Sequence, residues 1–305
     1  MHAICWLVAV LLILIAAAAW IARASIVVRR YKQIYARIIH VAPHEPVPRP
    51  RLHLRHDAHA AIPKIIHLTL AYKEPAYCAA KVQQIQQQYP DWDVMVYDND
   101  DCIEFITHHF DPLVVRAYQK INPKYGAMRA DFFRYCVLFV RGGMYIDFTL
   151  ELPSHLDMLD LSADAYLIPL QIKNWYRKRN NPYAMYEQWA MLFKPSHPYL
   201  KIIVEIITFN ILNNVFPSYD IKWYDILFDI YGSFRPGKHA VLNITGPDAF
   251  SAGIHEFTRT HGEMHTILKT KRVVQKRVKN NLYENQKHYS ELEEPIYVPG
   301  LHGCP

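Results

Sequence analysis

Asp131 and Arg134 stand three residues apart in the stretch GAMRADFFRYCVLFVR, and Asp147, Thr149 and Glu151 follow shortly after it. A carboxylate and a guanidinium one helical turn apart can accept from and donate to neighbouring hydroxyls, and the planar guanidinium makes that recognition directional. A further set of carboxylate and hydroxyl oxygens suits a hard cation or a ribose. Together these groups form the layout needed to hold a metal-bound nucleotide sugar.

Two periodicities must position them. Phe133, Cys136, Val137 and Val140 fall at i, i+3, i+4 and i+7, an apolar stripe that predicts a helix with Asp131 and Arg134 on a freer polar face. Gly142-Gly143 stops that helix and lets backbones approach closely. A strand should follow, with Tyr145, Asp147, Thr149 and Glu151 sharing one face and Met144, Ile146, Phe148 and Leu150 the other.

Arg129, Asp131, Arg134 and Leu138, followed by Gly142-Gly143-Met144-Tyr145-Ile146-Asp147, resemble the signature of glycosyltransferase family 32. That core reads roughly R/K-x-D-x-x-R-x-x-x-L, then G-G-x-Y-x-D-x-D. Ile62-Pro63-Lys64-Ile65-Ile66-His67 is similar to the family's opening strand, with Leu68-Thr69-Leu70 in place of its usual ending. Tyr89-Pro90-Asp91-Trp92, the acidic run Asp98 to Asp101, Lys194-Pro195-Ser196-His197-Pro198 and Thr245-Gly246-Pro247 resemble further landmarks. The likeness runs from about Ile62 to about Phe257, and its weight lies in several segments occurring in the right order.

The resemblance implies a GT-A-type, Rossmann-like α/β nucleotide-sugar fold and a retaining hexosyltransferase. Its donor would be GDP-mannose or a UDP-hexose, and its acceptor a glycan or glycolipid. It also implies roles. Asp147, Asp131 and Arg134 would be catalytic; His67, Asp131, Arg134, Tyr145 and Asp147 would bind the donor. A Mn²⁺ or Mg²⁺ ion would be held by Asp147, Thr149 and His302. The departure from the pattern is Thr149, a hydroxyl where the family carries its second Asp. Hard divalent ions want charged oxygens, and Glu151 would lie roughly 7 Å further along a strand. A catalytically silent, sugar-nucleotide-binding descendant is the alternative, and a phospholipid-linked acceptor a narrower variant.

Other residues keep bland readings beside these. His67 is a satisfied core histidine or a nucleotide contact; Asp98 to Asp101 form a solvated turn rather than ligands. Trp175 to Arg179 are a solvated loop or an acceptor platform, and His302 is a tail residue or a diphosphate ligand.

With 305 residues, 51% hydrophobic and 20% charged, the composition is that of a globular chain. A net charge of +6, with no block of Lys and Arg interleaved with aromatics, excludes a nucleic-acid pattern. Residues 1–23 hold an apolar run of the length needed to cross a bilayer, about 20 residues, and its length favours an uncleaved anchor over a signal peptide. Residues 24–61 read as a basic helical stem and a Pro-rich linker, and 62–305 as one transferase domain. Arg23, Arg29, Arg30, Lys32 and Arg37 all follow the span, which favours a cytoplasmic domain. The family's eukaryotic members instead face the Golgi lumen, so a type II Golgi or ER protein and a cytoplasm-facing one both stand. Cys136 should be a buried thiol, and no cysteine pair has zinc spacing. Asn243-Ile244-Thr245 is a glycosylation sequon. Strands near 62–70, 94–97 and 165–170, alternating with helices near 81–88, 103–108, 112–120 and 199–212, point to a sheet with its site at the strand C-termini.

The missing second carboxylate predicts weak Mn²⁺ affinity and a gain in Thr149→Asp. Titration calorimetry with nucleotide diphosphate checks it; unchanged affinity in the variant would count against a metal seat at this tripeptide.

Overall fold

A computed structural model describes residues 2–39, 45–54, 60–152, 156–170, 184–216, 235–268 and 288–298. One mixed sheet organises them, in the order β2-β1-β3-β5-β4-β6. Its strands are β1 (Ile65–Thr69), β2 (Asp93–Tyr97), β3 (Gly143–Ile146), β4 (Ala165–Pro169), β5 (Tyr186–Phe193) and β6 (Thr266–Ile267). β2, β1 and β3 run parallel, and β5 is antiparallel to both β3 and β4. The α/β class expected from the sequence holds, as one mixed sheet with helices on both faces.

Helices cover both faces. Against one face, α2 (Pro75–Gln88) packs on Ile66, Leu68, Met144 and Ile146. Against the other lie α3 (Asn99–His109), α4 (Pro112–Lys120), α5 (Gly126–Arg141), α6 (Pro198–Leu212), α7 (Pro236–Ile244) and α8 (Pro247–His261). Strand alternation assigns the residues: Met144 and Ile146 face α2, while Tyr145 faces α5. Asp98 caps α3 in a reciprocal capping box with Asp101, which explains the acidic run as a helix start.

Three expectations are corrected. First, α5 is buried on nearly every side, from Asp131 through Phe139, so it has no free polar face. A central helix sandwiched between the sheet, α3 and α6 must bury its charges together with their partners. Second, β3 ends at Ile146. The Asp147 carbonyl accepts the Leu150 N–H at 2.9 Å and closes a turn, while Phe148 and Leu150 enter the α2-side core. Asp147, Thr149 and Glu151 therefore do not share a strand face. Third, β5, α7 and α8 were not anticipated.

Gly142 and Gly143 have φ of 66° and 93°. A Cβ on Gly143 would stand 2.5 Å from the Ile65 carbonyl oxygen, so the turn from α5 into β3 admits only glycine there.

The helical stem expected after the apolar run is continuous with it and also packs on the domain. One helix, α1 (His2–Ile38), carries an apolar first half that is long enough to cross a membrane and wholly exposed. Its second half buries Ala24, Tyr31 and Ile38, with Val28 and Tyr35 half-buried between them. That 4-3-4-3 spacing is a seam, and it docks on α7. Tyr31 Oη and His239 Nδ1 share a 2.7 Å hydrogen bond, and the Ile38 carbonyl accepts the Ile296 N–H at 2.9 Å. Further on, the linker is strapped to α6: Glu205 accepts from the Leu52 N–H at 2.7 Å, and Asn213 bonds both backbone groups of Val47.

The seam belongs to the domain's core, so a chain beginning at Ile62 should be less stable than one beginning at Ala24. Burying Ile38 alone is worth about 1.5–3 kcal/mol. A drop in Tm of at least about 5 °C is expected, since roughly 1 kcal/mol moves a domain this size by about 2–4 °C. Equal melting temperatures in calorimetry would show that the seam contributes nothing.

Candidate functional site

Asp131, Arg134 and Asp147 come together although they belong to two elements. Arg134 Nη2 lies 3.1 Å from Asp131 Oδ1 and 3.3 Å from Asp147 Oδ1. The guanidinium also donates from Nη1 to the Gln188 carbonyl at 2.8 Å and stacks 4.5 Å from the centre of the Tyr145 ring. Asp131 and Arg134 are 4% and 5% exposed, whereas the Asp147 side chain is 34% exposed. Only Asp147, with half-buried Thr149 beside it, faces outward.

Asp131 is saturated by the fold. Its Oδ1 accepts from Gln188 Nε2 at 2.9 Å as well as from Arg134, and its Oδ2 accepts from Thr245 Oγ1 at 3.1 Å. Tyr135 Oη lies within hydrogen-bond reach of both Gln188 Oε1 and the Thr245 carbonyl, its single proton serving one at a time, which ties the two donors together. Burial pushes the Asp131 carboxyl up to about 6, opposed by Arg134 and reinforced by Asp147. The two carboxylates hold Arg134 above its ordinary value despite the same burial. These shifts pull opposite ways on the pair. Three donors aimed at Asp131 favour the ionised form, so the pair is charged at neutral pH.

Tyr145 Oη reaches Thr69 Oγ1 at 2.8 Å and Asp147 Oδ1 at 3.3 Å, linking the C-terminal ends of β1 and β3. From α2, Lys81 Nζ donates to the Leu150 carbonyl at 2.6 Å and pins the turn that carries Thr149.

His67 is fully buried behind this site rather than in it. Its Nε2 must donate to the Gly142 carbonyl at 2.9 Å, which leaves Nδ1 to accept from Tyr97 Oη at 3.2 Å. Burial depresses the ring to about 4, so it is neutral. Of the two readings of His67, the geometry fits the satisfied core histidine, which buttresses the Gly142-Gly143 turn. A separate cavity of about 290 Å³ opens beside β2, lined by Lys73, Tyr97, Asp101, Phe105 and Arg141 among others.

Among the described residues no three His, Cys, Asp or Glu side chains converge as a metal-holding group. Asp147 supplies one outward carboxylate, with Oδ1 already facing Arg134, and Thr149 adds a neutral oxygen. These residues do not by themselves fit a divalent ion. His302 and Trp175 to Arg179 lie outside the described residues. The sequon is structural: Asn243 is buried with Nδ2 donating to the His239 carbonyl at 2.7 Å, and Thr245 is the Asp131 donor.

Gln188, Lys81 and the role of Thr245 were not foreseen. A lone buried amide in an apolar strand has no sequence pattern. Only Thr245-Gly246-Pro247, noted as a landmark, gave a signal.

Residues 75–168 match the family described as a glycosyltransferase sugar-binding region containing a DXD motif. An initiation-specific α-1,6-mannosyltransferase of Candida albicans is 26% identical over 72% of this chain and 56% of its own length. Inositol phosphoceramide mannosyltransferase 3 of Schizosaccharomyces pombe is 28% identical over 54% of this chain and 42% of its own. The mannosyl phosphorylinositol ceramide synthase SUR1 of Saccharomyces cerevisiae is 27% identical over 57% and 40%. The chain thus spans about half the length of these relatives. Among solved structures, the PaToxG glycosyltransferase superposes with a TM-score of 0.41 at 13% identity, over 77% of this chain and 79% of that one.

Removing Arg134 leaves Asp131 buried without its cation, so Arg134→Ala should lose about 3–5 kcal/mol of stability. Asp147→Asn, at the surface, should lose less than about 1 kcal/mol. In the same denaturant unfolding series, Asp131 contributes stability that is fully present below the ordinary carboxylate range and lost as pH rises through about 6. Asp131→Asn should flatten that slope. An Arg134→Ala variant as stable as wild type would mean that the cluster is not a coupled unit.

Proposed function

We propose that this chain, a glycosyltransferase of the family 32 type, moves a hexose from a nucleotide-diphosphate sugar to a glycan or glycolipid while anchored in a membrane by α1. The reading rests chiefly on one observation: Asp147 is the outward member of an otherwise buried carboxylate–guanidinium–carboxylate cluster at the C-terminal edge of β1 and β3. A buried charge cluster that opens through a single carboxylate is suited to a polyhydroxyl ligand, because its acceptor is fixed in place before the ligand arrives.

In this reading Asp147 accepts from donor hydroxyls, of the sugar or of the ribose. Arg134 fixes the direction of that carboxylate, and Tyr145 seconds it from the β1 side. Asp131 holds the guanidinium through Gln188 and Thr245 and is a positioning residue. The sugar clamp expected of Asp131 and Arg134 thus becomes indirect, acting through Asp147. The mannosyl names of the relatives make GDP-mannose the first donor to test, ahead of UDP-hexoses. Retention of anomeric configuration is the stereochemical outcome proposed.

The full chain, purified in detergent, should hydrolyse or transfer from at least one of a panel of nucleotide sugars, assayed with and without Mn²⁺. Asp147→Asn should lower that turnover at least roughly tenfold, equivalent to about 1.4 kcal/mol. Donor binding without turnover across the panel would point to the silent, sugar-nucleotide-binding alternative. No binding at all would overturn the reading.

A further inference from the structure

The second half of α1 has two sides with different fates. The seam of Ala24, Val28, Tyr31, Tyr35 and Ile38 is turned to the domain, which directs Arg23, Arg29, Arg30 and Lys32 outward; all four are exposed. None of the four forms an ion pair among the described residues, whereas Arg37, further along, meets Glu293 at 3.6 Å. No acidic residue occurs between positions 2 and 39. Four cations therefore stand together with no internal counterion.

Their height is fixed as well. At 1.5 Å per residue, all four lie within about 15 Å of the end of the apolar run at Ala22. Trp20, half-exposed one turn below Arg23, is of the type that settles at a membrane–water boundary. The headgroup layer is about 5–7 Å thick on each side, and long basic side chains can snorkel back into it along their own stems. Because the seam begins at Ala24, no flexible stem separates the span from the domain. A run of four Lys and Arg directly after a span is the composition that attracts anionic lipid.

We propose that Arg23, Arg29, Arg30 and Lys32 bind anionic phospholipid headgroups in the leaflet that α1 enters, and that this contact seats the transferase domain directly on the bilayer. The partner class follows from charge complementarity and from continuity with the apolar helix. The inference rests on the reading of α1 as a membrane span. That reading fails separately, if alkaline carbonate releases the chain from membranes.

The test uses the full chain, delipidated in detergent and offered phosphatidylserine and phosphatidylcholine in equal amounts, with retained lipid counted by native mass spectrometry. Wild type should keep phosphatidylserine over phosphatidylcholine by at least about tenfold, a preference that weakens with salt. The variant Arg23→Gln, Arg29→Gln, Arg30→Gln, Lys32→Gln should bring the two lipids within about twofold. An unchanged Tm shows that its fold is intact; if it is not, the salt titration of wild type and the milder Arg29→Gln, Arg30→Gln variant decide the matter by the same ratio. Equal retention of both lipids by wild type, or a preference that survives the substitutions, overturns the proposal. So does displacement of phosphatidylserine by equimolar heparin, which would assign the face to a soluble polyanion.

Discussion

Arg134 is the constraint around which the domain is arranged. A guanidinium cannot lose its charge in a protein, so burying it obliges the fold to bring anions and acceptors to it. Asp131 comes from the same helix, Asp147 from the end of β3, the Gln188 carbonyl from β5, and the Tyr145 ring lies beneath it. Asp131 in turn recruits Thr245 from the end of α7. Displacing any one of these elements would strand a buried charge. The same demand explains why β5 runs antiparallel beside β3: it presents Gln188, whose side chain and backbone serve the acid and the base at once.

A second polar thread holds the frame on which that cluster sits. His67, on β1, donates to Gly142 at the end of α5 and accepts from Tyr97 on β2, while Arg141 donates to the same tyrosine at 3.2 Å. The thread crosses three elements in a layer that is otherwise apolar. It fixes the angle at which α5 gives way to β3, and so where Asp147 emerges. Gly142 and Gly143 make that turn sterically possible, and His67 makes it specific.

The N-terminal helix α1 connects to the same centre by a short path. α1 meets α7 at Tyr31 and His239, and α7 ends at Thr245 against Asp131. Six residues of helix, about 9 Å, separate His239, which meets α1, from Thr245, which meets the carboxylate. The half of α1 that the sequence suggests to be a stem is therefore a wall of the domain.

Much of this was legible in the sequence. Periodicity and caps located α3, α4, α6 and the strands β1, β2 and β4 to within a few residues, because each has a local pattern or a local stop signal. The residue types at 131, 134 and 147 marked the residues that cluster, and Gly142-Gly143 announced the turn before Asp147. Burial was not legible. Whether Asp131 and Arg134 face solvent or core depends on which elements close over α5, and β5 and α7 come from residues far along the chain. Nor could alternation show that β3 stops at Ile146, since the Asp147 to Leu150 turn is closed by a hydrogen bond and pinned by Lys81 from α2. The sequence by itself determined which side chains could do chemistry. The tertiary structure decided which of them reach solvent, because solvent access is a property of packing and packing is set by contacts between segments that no local pattern relates.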